Sequence, residues 1–213
     1  MDWLAVSLGA AGAGLGVVAD RFATRWPEHD EGHPPGRRID WRTVVCGAVG
    51  AVAFALLPVR FGADPLAMAA FGAWFATLVV GLATDFDQRV LPNELTLPVI
   101  PLALLYALSG QNLLVAGAVV LAVAAALIIP AVIYLPSLPF GAGAFGMGDV
   151  KFLVGMGLML GGDRSVSAIL FGLILAGVVL LVLLLTRRIG RKSFIPFGPF
   201  LILGALWAVL IRA

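Results

Sequence analysis

The sequence predicts an all-α, polytopic membrane protein, and three observations carry that prediction. Of the 213 residues, 61% are hydrophobic and only 12% are charged, and the mean hydropathy is +1.05. Soluble domains are about half apolar and carry roughly 25% charged residues, so an ordinary globular domain is excluded. The net charge of +2 is spread over short connecting stretches and gives no basis for a nucleic-acid partner; membrane lipid is the expected surrounding. Cys46 is the one cysteine and lies in an apolar run. It offers no intrachain disulfide or thiolate zinc cluster and reads as a small packed side chain.

A crossing of the hydrocarbon core needs about 20 mostly apolar residues. By that measure about eight transmembrane helices are expected, near 3–18, 43–59, 66–84, 95–108, 113–135, 150–161, 168–186 and 194–211, the fourth and sixth short. The first run has no positive charge before it, so it is expected to be a retained span rather than a leader. Residues 1–60 then form an N-terminal two-span region with a short loop at 21–42, and 61–213 a six-span core. No fixed-period repeat is visible, and the 26 glycines permit close helix packing throughout.

Orientation follows the basic residues. With the N-terminus outside, Arg21, Arg25, Arg37, Arg38, Arg42, Arg89, Lys151, Arg187, Arg188, Arg191 and Lys192 all fall on the cytoplasmic side, and only Arg60, Arg164 and Arg212 outside. The opposite orientation inverts that bias. The loop at 21–42 holds Glu28, His29, Asp30, Glu31 and His33 among Pro and Gly; nothing in the spacing fixes a coordination geometry, and neither a metal nor a cofactor is expected.

Ionisable residues near membrane depth cost roughly 2.5–3.5 kcal/mol on insertion scales and are functional candidates by default. Two places qualify. The third span ends in Thr84-Asp85-Phe86-Asp87-Gln88-Arg89, followed by Leu91-Pro92-Asn93-Glu94, and the sixth is expected to begin just after Gly146-Met147-Gly148-Asp149. Both stand at cytoplasmic ends in the orientation above. Asp85 and Asp87 face nearly opposite ways if the helix continues, so one of them points inward. Pro92 disfavours α geometry at Leu91 and ends the turn. Gly146 and Gly148 permit positive φ and a close approach, making a hinge with a carboxylate at its end. Paired carboxylates share a proton, so that one draws a proton from water while the other polarises a carbonyl. A proton-coupled transporter also uses intramembrane acids, but would more naturally place them near the midplane and show internal repeats.

Three segments resemble the prepilin peptidases, or type IV leader peptidases, of the Gly-x-Gly-Asp class of intramembrane aspartic proteases (the A24 family). Asp85-Phe86-Asp87-Gln88-Arg89-Val90-Leu91-Pro92-Asn93 is similar to the family's first aspartate motif, Gly146-Met147-Gly148-Asp149-Val150-Lys151 to the second, and Ile195-Pro196-Phe197-Gly198-Pro199 to its last-span signature. The resemblance implies that Asp85, rather than Asp87, is catalytic together with Asp149. Gly146, Gly148, Lys151, Asp87, Pro92 and Asn93 are then the supporting or substrate-binding residues. Lys151 either tunes the pair or extends to the headgroups.

It implies further a bacterial plasma-membrane enzyme that removes the basic leader of a prepilin or pseudopilin at the cytoplasmic face, with Asp87, Glu94, Glu28, Asp30 and Glu31 available to meet the leader's charge. Many relatives carry two Cys-x-x-Cys pairs after the first span and also methylate the new N-terminus. Those cysteines are absent from this chain, and N-methyltransferase activity is not expected.

Overall fold

Lipid offers backbone N–H and C=O groups no partner, so a chain this apolar satisfies them within helices. The structure, a computed structural model, describes residues 3–29, 35–115, 118–140, 146–188 and 196–212. Every extended element among them is helical: α1 (Trp3–Ala23), α2 (Trp41–Phe61), α3 (Pro65–Gln88), α4 (Asn93–Leu108), α5 (Val119–Ser137, continued as one 3₁₀ turn), α6 (Met147–Leu185) and α7 (Gly198–Leu210). Five of them, α1, α2, α3, α5 and α6, are long and apolar enough to cross a membrane, and α4 and α7 are shorter apolar helices. Phe145, Asp30, Glu31, His33, Arg191, Lys192 and Ile195 lie outside the described residues.

The helix starts are written locally. Asp40 caps α2, its carboxylate accepting from the Arg42 N–H at 2.8 Å. Asp64 caps α3 by accepting from Leu66 and Ala67 N–H groups, both at 3.0 Å, just ahead of Pro65. Each satisfies donors that the first turn leaves without partners.

The expected sixth and seventh spans are one 39-residue helix in backbone pattern, α6, broken at Gly161 (φ 71, ψ −177). Ser165 Oγ donates to Met156 O at 3.3 Å. Nine residues of straight helix would hold those atoms about 13.5 Å apart, so the chain folds back at Gly161 into legs at 147–160 and 162–185. The stretch 162–167, expected as a loop, is helical because one glycine makes the whole reversal. Three other boundaries also move. α1 runs past Val18 to Ala23 and α3 runs past Thr84 to Gln88, which places Asp20, Asp85 and Asp87 on helices. α5 begins at Val119, later than the expected 113.

α3 is the most enclosed of the five long helices, with Phe71, Phe75, Val79 and Leu82 fully buried in the core. Phe71 stacks on Phe61 of α2 with ring centroids 4.4 Å apart. α1 lies on α2 through bare backbone: a Cβ on Gly16 would stand 2.1 Å from Cys46 O, and one on Gly12 2.2 Å from Gly50 O. Such small-residue contacts replace a hydrophobic driving force that lipid does not supply. α7 fits against the second leg of α6 in the same way, and α5 against the first.

The bundle has two polar ends. At one, Asn112 Nδ2 donates to Met159 O beside the Gly161 reversal, and Arg164 donates to Ala208 O and Arg212 O. The other gathers the last turns of α1 and α3 with the first turns of α2, α4, α6 and α7. Gly161→Ala puts a Cβ on a backbone conformation open essentially to glycine alone, at a cost of about 1–3 kcal/mol. The expected outcome is a lowered thermal midpoint in detergent with the protein still membrane-inserted, read by a melting curve beside wild type.

Candidate active site

Asp85 sits in the last turn of α3 and is 4% exposed. α3 stops there because Arg89 takes a left-handed conformation (φ 58, ψ 38) and its N–H donates to Asp85 O at 3.0 Å, a helix-ending geometry more usual for glycine. No glycine marks this stop in the chain, and Pro92 falls after the turn, as the extended residue ahead of α4. Leu91 and Pro92 are both buried beneath that turn.

The start of α7 closes over the Asp85 carboxyl. A Cβ built on Gly198 would lie 2.8, 2.9 and 3.1 Å from its Oδ2, Cγ and Oδ1. Asp85 Oδ2 is buried and has no hydrogen-bond partner among the described residues. A buried acceptor without a partner is uncommon and calls for a water, a proton or a ligand.

Asp149 lies in the first turn of α6, with Gly146 as the preceding cap residue. This corrects the expectation that the helix begins after it: an acid in the first turn is favoured by the N–H groups exposed there, so Asp149 starts the helix from inside. It is half-buried, and it is close enough for its charge, like that of Arg89, to act on Asp85. Gly146 and Gly148 have ordinary negative or helical dihedrals rather than the positive φ expected of a hinge. The use of Gly148 is close approach. A Cβ there would stand 2.7 Å from Leu91 O and 2.9 Å from Leu91 Cβ, so its absence lets the first turn of α6 lie on the α3–α4 connection. Gly146 faces Asp149 itself, where a Cβ would meet Oδ2 at an ordinary contact distance of 3.4 Å.

Lys151 Nζ donates to Asn93 Oδ1 at 2.5 Å, tying the first turn of α6 to that of α4. Asp87 is 7% exposed and turned away from the pair, as the helical spacing requires. Its carboxylate accepts from Arg37 Nε at 2.8 Å and Arg42 Nη1 at 3.4 Å, and lies 3.3 Å from His29 Nε2. It is therefore taken up inside the protein and is not an open surface acid for a basic leader. Glu28 and Glu94 remain exposed.

The same lattice of charges contains a cluster that the chain's motifs do not announce. Asp20, fully buried at the end of α1, accepts from Thr43 Oγ1 at 2.6 Å, Arg37 Nη2 at 2.5 Å and both Nε and Nη2 of Arg21. Arg37 also pairs with Asp40. Burial works against the Arg37 charge, but its bonds to Asp87 and Asp20 outweigh that, and the guanidinium holds its proton more firmly than an exposed arginine does. Gln88 Nε2 adds bonds to Ala23 O and Pro27 O at 3.3 and 3.1 Å. A signal for Asp20 does exist in the sequence: an acid one residue before a basic one, at the end of an Ala/Gly helix, is a membrane-depth charge in need of partners. Among the described residues no three His, Cys, Asp or Glu groups stand together as a metal site.

The fold and the site define a polytopic helical membrane protein that brings two carboxyl groups from separate helix ends to one end of its bundle. The chain belongs to the type IV leader peptidase family, whose model matches residues 73–185 and so takes in both acids. Similar proteins include prepilin leader peptidase/N-methyltransferases of Burkholderia pseudomallei (strain K96243), 33% identical over 80% of this chain and 54% of the relative, and Aeromonas hydrophila, 32% identical over 60% and 43%. That of Bacillus subtilis (strain 168) is 27% identical over 82% of this chain and 68% of its own length. The chain spans about half the length of the Burkholderia relative. No solved structure matches it. Nothing in these comparisons supports the transporter alternative.

Arg37→Ala leaves Asp20 and Asp87 buried with their main counter-charge gone. Breaking a buried pair from one side costs about 3–5 kcal/mol, so loss of the folded α1–α2 region is expected, seen as protease nicking within 21–42 in membranes where wild type resists.

Proposed function

We propose that this chain is a membrane aspartic endopeptidase that removes the basic leader from type IV prepilins or pseudopilins. The observation that supports it most is Asp85, a buried acid whose Oδ2 has no partner among the described residues, within reach of the charge of Asp149. Of the two carboxyls one works ionised and one protonated. The ionised member takes a proton from water as the water oxygen adds to the scissile carbonyl carbon, and the protonated member gives its proton to the carbonyl oxygen. Collapse of the tetrahedral species breaks the C–N bond: the proton taken from water passes to the departing amine, and the carboxyl that protonated the carbonyl oxygen takes a hydroxyl proton back as C=O re-forms, which restores the pair. Gly198 lets α7 close on the Asp85 carboxyl without a side chain striking it, and Gly148 keeps α6 close enough for Asp149 to take part.

In this reading the two legs of α6 cross separately, which makes eight crossings with the N-terminus outside. The end bearing the acids faces the cytoplasm of a bacterium from its inner membrane. Residues 1–60 form a two-span region latched to a six-span core at 61–213. Glu28 and Glu94 face the basic leader, and Lys151 with Asn93 sets the spacing of α6 and α4. The relatives' names pair the peptidase with an N-methyltransferase; only the peptidase is assigned to this chain, whose single cysteine is buried in α2 at its contact with α1.

Asp85→Asn and Asp149→Asn are each expected to abolish leader cleavage of a co-expressed prepilin, by a factor of at least about a thousand, while the protein accumulates in the membrane as wild type does. Cleavage retained in both variants would remove the assignment. Gly198→Ala crowds the Asp85 carboxyl and is expected to lower the same cleavage at least tenfold with little change in thermal midpoint; an unchanged rate would show that α7 does not form part of the site.

A further inference from the structure

We propose that the lipid-facing cleft between α3 and α4 is the seat of an apolar, membrane-embedded segment of the substrate, laid along α4 with its scissile end towards Asp85 and Asp149; this rests on the peptidase reading and names how that site receives its substrate. The cleft holds a cavity of about 440 Å³ whose walls are almost wholly apolar, formed by α3, α4 and Met159 of α6. A second, narrow cavity of about 20 Å³ continues it: Trp74, Thr77 and Val99 line both. The narrow part runs on to Leu91 and Lys151, and Leu91 is the residue that the first turn of α6 rests on at Gly148, one residue before Asp149.

The length decides between occupants. The two cavities are lined along α4 from Leu95 to Ser109, which at helical rise is about 21 Å. A lipid tail occupies one leaflet, about half of a 30 Å hydrocarbon core, and would leave part of this strip uncovered. A membrane-spanning peptide segment covers it from end to end and delivers its terminus to the acids. The neck at rest has room for about one water, so a peptide that reaches Asp85 displaces the Leu91 side chain, which there packs against Gly81. What the cleft adds is the seat itself: the apolar segment lies along α4 and is unwound over its last few residues to pass the neck.

The test uses the full chain in membranes and two probes: a single-span protein with a basic leader followed by about 20 apolar residues, and a soluble peptide of the same cleavage segment with the apolar part removed. Ala73→Phe fills the wide part of the cleft from α3, and Ala69→Phe places the same ring on an exposed position of α3 outside the cleft lining. Ala73→Phe is expected to lower the ratio of membrane-probe to soluble-probe cleavage at least tenfold, mainly through KM, and Ala69→Phe to leave it as in wild type. Independently, Leu102→Cys, placed in the cleft from α4 in a Cys46→Ala, Asp85→Asn background, is expected to form a disulfide with a cysteine in the probe's apolar segment. This arm reads occupancy without cleavage and holds even if Ala73→Phe misfolds. Wild type that cleaves the membrane probe, with Ala73→Phe equal to it and no capture by Leu102→Cys, overturns the cleft and leaves lipid as its occupant. Wild type that cleaves neither probe overturns the peptidase reading, and this proposal with it.

Discussion

The structure is arranged around one buried carboxyl. Asp85 is 4% exposed and leaves Oδ2 without a hydrogen-bond partner among the described residues. An acceptor stranded in this way costs about 1–3 kcal/mol, and a carboxylate at this depth costs more unless a proton or a counter-charge attends it. The surroundings hold it in place without satisfying it. α7 contributes Gly198 where any larger residue would strike the carboxyl, and α6 contributes Asp149, a second acid where a stabilising arrangement would set a base. Polar groups left unsatisfied in a well-packed interior mark the positions at which a fold serves chemistry at the expense of stability.

Asp87, two residues on, shows the alternative. Helical geometry points it the other way, and there every need of the carboxylate is met by Arg37, Arg42 and His29. Through Arg37 it is joined to Asp20, so the same turn of α3 that presents Asp85 to the site also anchors the loop between α1 and α2. The α1–α2 pair is thereby fixed twice: by backbone contact at Gly12 and Gly16 within the membrane, and by charge at the end that bears the acids. The two aspartates are equivalent in sequence character and opposite in office, and the difference is made by what faces them.

That difference shows why part of the architecture is legible in the chain and part is not. Hydropathy locates the helices because lipid permits no other resolution of the backbone groups, and the approximate runs around α2, α3 and α4 follow from it. The Gly-x-Gly-Asp string and the acids before Pro92 mark the candidate site by residue type. What escapes is contact through space. Nothing local to Gly198 tells that its missing Cβ is required by Asp85, more than a hundred positions earlier, and nothing local to Gly148 tells that Leu91 lies against it. Gly161 looks like one glycine among 26, and only its φ of 71 reveals a full reversal. Asp20 is legible in principle, since a membrane-depth acid demands partners, but Arg37 and Thr43 can be matched to it only in three dimensions.

The turn after Asp85 has consequences on both of its sides. Arg89 in the left-handed region and Pro92 in extended geometry redirect the chain within four residues. That stops α3 one turn beyond the acid, so that the carboxyl stands at a helix end where α6 and α7 can approach it. It also sends α4 away to pack chiefly on α6 rather than back along α3, and the cleft between α3 and α4 is the space that this divergence leaves. Leu91, inside the turn, stands between the two, touching Gly148 beside Asp149 and Gly81 at the narrow end of the cleft. A change in this connection therefore cannot be confined to the acids or to the apolar strip, because a single bend in the backbone sets the end of one and the opening of the other.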